Sequence, residues 1–226
     1  MPVMEDVDVL REVERGPVPP RVARRARLLA LRAEALARVR EGGLVQARAS
    51  WRIAPLACPP GCDGSLCIDG WPLHAPWLVP AAGQLTAVAC AAATLGERVE
   101  REVSALFAQR RAALAVALDG VANELLFALS RRVQDRVLAE ARRQGLGVAG
   151  ELRAGDPGLD LQEQVTVLHL AGGAAIGIAL TRTSMMSPAK STTFVQGVGA
   201  GLPPQTWSRC DSCRSRAHCT LARASG

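Results

Sequence analysis

The sequence predicts an α+β domain, and two observations carry that prediction. Several segments place apolar residues three or four apart, the helical period, and shorter apolar runs bounded by Gly and Pro lie between them. Strands separated by helices in one chain define the α+β class. The chain is also long enough and apolar enough for one ordinary core: 226 residues, 49% hydrophobic and 21% charged. That balance excludes wholesale disorder. With three Phe, four Trp and no Tyr, the core must be aliphatic, and a tyrosine-based active site is excluded.

The elements follow in order. Residues 1–19 end in Gly16-Pro17-Val18-Pro19, with Pro20 following, and predict a tail or extended arm. Val22, Ala26, Leu29, Ala33 and Leu36 predict a helix over 21–41, stopped by Gly42-Gly43. Residues 54–70 are loop-rich and hold three cysteines, and prolines keep 71–83 extended. Residues 85–95 are small and apolar and fit a buried strand or a helix. Val99, Val103, Leu106 and Phe107 predict a helix over 97–109, and a longer one runs over 112–144, where Asp119-Gly120 is the place for a break. Residues 148–153 suit a strand, 155–158 a turn and 161–170 a short helix. Strands over 174–181 and 192–199 flank a loop at 184–191. The domain thus spans 20–202, with a cysteine-rich tail at 203–226. Gly197-Val198-Gly199 is not a dinucleotide loop, because Pro203-Pro204 follows and no helix starts there to hold a pyrophosphate.

The net charge is +6 and almost entirely arginine; Lys190 is the only lysine. Residues 20–52 hold nine Arg against Glu34 and Glu41, so one basic element sits on a balanced body. It suits an acidic partner or a solvated helix face. Only one aromatic, Trp51, lies among these arginines, which argues against nucleic acid. Glu5, Asp6, Asp8, Glu12 and Glu14 near the start are unlike a secretory signal or a transit peptide. The charge-free stretches 71–96 and 164–181 are interrupted by proline, His74, His169 and Gly172-Gly173, so neither is a clean span. A cytoplasmic protein without a membrane segment is expected.

Six of the seven cysteines form two triplets: Cys58, Cys62 and Cys67, then Cys210, Cys213 and Cys219. Close cysteines in turn-forming sequence converge on a metal, and Cys-x2-Cys is the commonest such device. Four thiolates or a Cys/His mixture, with His218 available, suit zinc; three or four thiolates suit an iron–sulfur cluster such as [4Fe-4S]. Arg209, Arg214 and Arg216 favour thiolate over thiol in the C-terminal triplet. Cys90 lies in an apolar run and is expected in the core. His169 is expected on the apolar face of its helix, and Met185 and Met186 as core fillers.

Residues 94–199 carry a pattern in a particular order: Thr94-Leu95-Gly96 before a helix, Ala122-Asn123-Glu124 within one, Arg153 followed by Pro157-Gly158, Leu161-Gln162-Glu163-Gln164 opening a short helix, Ile176-Gly177-Ile178-Ala179-Leu180-Thr181 as a strand, and Met185-Met186-Ser187-Pro188-Ala189-Lys190-Ser191 as a loop. In this order they resemble the reactivation domain of cobalamin-dependent methionine synthase, and more closely its small stand-alone relatives in corrinoid metabolism. The resemblance implies a mixed or antiparallel twisted sheet packed with helices. It implies binding of S-adenosylmethionine, and reductive activation or methylation of a corrinoid (cobalamin) bound to a partner, a corrinoid protein or a cobalamin-dependent methyltransferase. It implies that Arg153 faces the donor's carboxylate, that Pro157 and Gly158 bring backbone near it, that Glu124 meets its amino group, and that Lys190 lies on the loop facing corrinoid or donor. An iron–sulfur cluster at the cysteines would deliver the electron. Leu159 stands where the family has an aromatic, and the Arg-to-Gly spacing is one residue longer. These departures suit an alternative, a non-catalytic metal-stabilised adaptor that has lost the methyl donor.

Overall fold

The computed structural model describes residues 1–202. Its elements are β1 (Val3–Met4), α1 (Leu10–Arg15), α2 (Pro20–Ala23), α3 (Ala26–Gly42), β2 (Arg48–Pro55), β3 (Ser65–Ile68), β4 (Trp71–His74), β5 (Gln84–Thr94), α4 (Arg98–Ala108), α5 (Ala112–Arg143), β6 (Gly147–Leu152), α6 (Gln164–Leu170), β7 (Ala179–Leu180), β8 (Met186–Ser187) and β9 (Ser191–Ala200). Five strands form one sheet in the order β1-β2-β5-β9-β6, and every neighbouring pair is antiparallel. The α+β expectation holds, with an antiparallel sheet.

β5 is the central strand, and both its faces are covered. Ala87, Ala89, Ala91 and Ala93 join the core under the helices. Val88, Cys90 and Ala92 join a second core on the other face, with Leu66, Ile68 and Leu73 of the β3–β4 hairpin and Val167 of α6. A strand buried on both faces has no polar alternation, so its sequence does not distinguish it from a helix. Small side chains on the helical face let α5 pack close. Twelve of its residues are buried, including Leu118, Leu125, Leu129 and Val133. α5 runs unbroken through Asp119-Gly120: the glycine costs about 1 kcal/mol against alanine, and the buried stripe on either side outweighs it.

Four expectations are corrected. Residues 1–19 are not a tail or an arm set apart from the domain: β1 pairs with β2, and Val9 and Val13 enter the core. Residues 48–55 form a strand beyond the expected elements: Ala49 and Trp51 enter the core under the helices, and Ser50 between them is buried on the other face. The strand expected over 174–181 shrinks to β7, because a 3-10 turn occupies Gly173–Ile176 and Gly177 takes a left-handed conformation, φ 81°. The predicted Arg-rich helix is split into α2 and α3, and Gly43 ends α3 at φ 54°.

Gly197 and Gly199 belong to β9, and they are glycine because the strands approach closely. A Cβ on Gly199 would lie 1.9 Å from the Gln84 carbonyl oxygen. Among the described helices, α5 is long and apolar enough to cross a membrane by length and composition alone; its apolar stripe lies against the sheet, α3 and α4.

Candidate functional site

The β6 end, the middle of α5 and the start of β9 bring polar side chains around a cleft of about 460 Å³. Asn123, Phe127, Arg153, Gln164, Met186 and Thr192 are among its walls. That volume is within the range of small-molecule sites. Arg153, one residue beyond β6, is anchored on several sides. Its guanidinium donates to Thr192 Oγ1 at 2.7 Å, to Ser130 Oγ at 3.1 Å, and to Glu151 Oε1 at 3.1 and 3.3 Å. Glu151 in turn accepts from Gln134 Nε2 at 2.9 Å. The Phe127 ring lies 6.0 Å from the guanidinium carbon, at the limit of a cation–π contact.

The turn after Arg153 is closed by its own backbone and the Asp156 carboxylate. The Arg153 amide donates to Asp156 Oδ2 at 2.9 Å, and Gly155 N–H bonds the Leu159 carbonyl at 2.9 Å. Pro157 lies in this turn. Gly158 has φ 82°, and a Cβ there would lie 2.4 Å from Trp77 Cγ, so the group that approaches Gly158 is the Trp77 ring. Leu159, 1% exposed, is part of the second core.

Glu124 does not line the cleft. It pairs with Arg32 of α3 at 2.6 Å, and Arg32 also donates to the Val13 carbonyl at 3.3 Å. Its neighbour Asn123 faces the cleft instead. Lys190 reaches α5, with Nζ 2.7 Å from Asp119 Oδ1 and 2.8 Å from Asn123 Oδ1. The loop before β9 is also tied down where the Ala189 amide donates to Glu100 Oε2 at 2.6 Å. Met185 is exposed and no core filler, whereas Met186 packs against the second core and also lines the cleft. His169 is exposed as well, and stacks on Trp71 with ring centroids 4.1 Å apart. Phe127 was missed in sequence, yet it lies one helical turn beyond Asn123 and shares its face.

Cys58 and Cys62 are exposed, Cys67 is half-buried and Cys90 is buried. Burial pushes the Cys90 thiol up to about 12. Among the described residues no three His, Cys, Asp or Glu side chains gather as a metal site. Cys58, Cys62 and Cys67 are thus not gathered into a metal site among the described residues. Cys210, Cys213 and Cys219 lie outside the described residues.

No family model matches the chain, and no curated protein matches it. The described residues nonetheless define a class of fold. The class is an antiparallel sheet with a long helix across one face and a hairpin and short helix across the other. A solved structure of the MetH reactivation domain bound to AdoHcy matches with a TM-score of 0.67 and 15% identity, over 92% of this chain and 81% of that one. The protein has the methionine synthase reactivation-domain fold.

Proposed function

We propose that the cleft beside Arg153 binds S-adenosylmethionine, and that the protein supports reductive activation or methylation of a corrinoid carried by a separate protein. The observation that carries this reading is Arg153, held at the wall of a nucleoside-sized cleft on a fold whose solved example holds AdoHcy. AdoHcy is the demethylated form of the donor. Arginine recognises a carboxylate through two parallel charge-assisted hydrogen bonds. Phe127 offers a flat apolar face, and the Ser191 and Thr192 hydroxyls offer ribose partners. Lys190 acts as a positioning residue, holding Asn123 toward the cleft. Glu124 serves α3 through Arg32 and is not assigned to the ligand.

The corrinoid partner docks through the basic N-terminal turn. Arg32, Arg38 and Arg40 of α3 are paired with Glu124, Glu102 and Glu14. Arg21, Arg24, Arg25 and Arg27 are exposed, and suit an acidic surface on that partner.

Two observations favour a second reading, an adaptor without methyl-donor binding. Arg153 is already engaged by Glu151, and Leu159 is buried where the family carries an aromatic. Titration calorimetry with S-adenosylmethionine separates the two. The first reading expects one site, weakened at least about tenfold by Arg153→Gln through loss of a charged hydrogen bond. The adaptor expects no binding up to millimolar donor.

A further inference from the structure

The cleft beside Arg153 has a second wall, built from the other face of the sheet. Arg153 belongs to the α5 side, where it donates to Ser130 Oγ at 3.1 Å. Gln164 opens α6, and α6 packs into the second core through Val167, Leu168 and Leu170. Gln164 and Met186 line the cleft from that side. Gln164 is only 5% exposed, an uncommon depth for a polar side chain.

The Gln164 carboxamide has a fixed orientation. Its Nε2 donates to the Ser184 carbonyl at 2.8 Å. A carbonyl only accepts, so the nitrogen must face Ser184 and the oxygen must face away. The Ser184 turn is itself held, with the Ser184 amide on the Thr181 carbonyl at 3.0 Å and the Thr181 amide on the Met185 carbonyl at 2.8 Å. Among the described residues Gln164 Oε1 has no hydrogen-bond partner. Nor is it one of the sealed, unpartnered polar atoms, which are Arg48 Nε, Ser50 Oγ and Gln196 Oε1. It therefore opens on the cleft that Gln164 lines. The other carboxamide there is spent, because Asn123 Oδ1 accepts from Lys190 Nζ at 2.8 Å. Among the described residues no Asp or Glu lines the cleft. Gln164 Oε1 is thus a preset acceptor, and it calls for an N–H group on the ligand.

We infer that Gln164 selects the base of the methyl donor: its Oε1 accepts a hydrogen bond from the 6-amino group of adenine. The inference rests on the donor reading above. S-adenosylmethionine carries N–H groups at two places, its ammonium and its base. The ammonium shares a carbon with the carboxylate, so it follows the carboxylate to Arg153 on the α5 side. The base lies at the far end of the molecule and falls to the α6 side, where the Met186 thioether suits an aromatic ring. A 6-oxo purine would set a second carbonyl oxygen against Oε1, with no proton between them. Hypoxanthine and guanine nucleosides are therefore rejected.

The test is calorimetry on the full chain with S-adenosylhomocysteine and with S-inosylhomocysteine, in which a carbonyl replaces the 6-amino group. The wild type is expected to favour the adenosyl ligand by at least about tenfold, as a site built to bond an N–H group does. Gln164→Met keeps the side chain's length and removes the acceptor. It is expected to weaken the adenosyl ligand, leave the inosyl ligand where it was, and so abolish the preference. Gln164→Met also removes the bond to Ser184, and a purely structural role would weaken both ligands alike with the preference intact. That result would overturn the inference. Equal affinity for the two ligands in the wild type would also overturn it, without any variant, and would leave the donor reading standing. If the wild type binds neither ligand, the donor reading falls and this inference with it.

Discussion

Arg153 shows how one side chain serves fold and cleft together. It joins the end of β6 to β9 through Thr192 and to α5 through Ser130, and it stands at the cleft wall. Arg153→Gln is therefore expected to lower thermal stability as well as donor affinity, whereas Asn123→Ala is expected to weaken affinity alone. Comparing Tm with calorimetric Kd for both variants checks this. Leu159 is the sharper residue-scale test of how far this chain has moved from the family pattern. It is 1% exposed, so Leu159→Tyr overpacks the second core and is expected to cost about 1–3 kcal/mol in denaturant unfolding. An unchanged stability would mean the turn opens toward the cleft after all. Cys90 gives a pH signature. Its thiol is raised from 9.0 to about 12 by burial, so the folded state holds the proton where the unfolded state has released it. That contribution is fully present below pH 9, and is lost as pH rises from about 9 toward 12. C90A is expected to show a flatter stability profile over that window, measured by urea unfolding. In the native wild type Cys90 is expected to resist alkylation at pH 8, while Cys58 and Cys62 react.

At the scale of elements, helices were easier to read than strands, and the reasons are physical. α4 and α5 carry one apolar stripe each, so their spacing showed in the sequence. β5 is apolar on both faces and has no period to read. β2 carries Ala49 and Trp51 between Arg48 and Arg52, and Ser50 between them is buried too, so no clean polar alternation marks it. The short strand β1 is defined only by its partner. Two glycine substitutions with opposite expected signs test how these elements pack. Gly120 sits in α5 with nothing within 4 Å of an added Cβ, so Gly120→Ala is expected to stabilise by about 0.5–1 kcal/mol. Gly199 faces the Gln84 carbonyl, so Gly199→Ala forces β5 and β9 apart and is expected to abolish the cooperative unfolding transition. A folded Gly199→Ala protein with native Tm would contradict the register described above. The α3–α5 contact rests partly on Arg32 and Glu124. Glu124→Gln leaves the 9%-exposed Arg32 side chain without its counter-charge, and about 3 kcal/mol of stability should be lost.

At the scale of the whole molecule, the length of β9 separates the cleft from the cysteine loop. The cleft lies at one end, among Arg153, Thr192 and Phe127, and the cysteine loop lies at the other. The sequence order of motifs pointed to the fold because the motifs follow the order of β5, α5, β6, α6 and β9 along the chain. It could not show that Glu124 turns toward α3 while Asn123 turns toward the cleft, since a helix shifts neighbours by about 100° and only packing decides which faces in. Nor could it show that half of the basic element is neutralised internally. The arginines left exposed, Arg21, Arg24, Arg25 and Arg27, are expected to tolerate replacement by Gln within about 0.5 kcal/mol of stability, while slowing partner activation at low salt and not at high salt.

The measurement that bears most directly on the central claim is a calorimetric titration of the full chain with S-adenosylmethionine, repeated with Arg153→Gln. A single saturable site in the wild type, weakened at least about tenfold by the substitution, is the predicted result. Absence of binding at millimolar donor, or equal affinity in the two proteins, would contradict the assignment of the Arg153 cleft as the methyl-donor site.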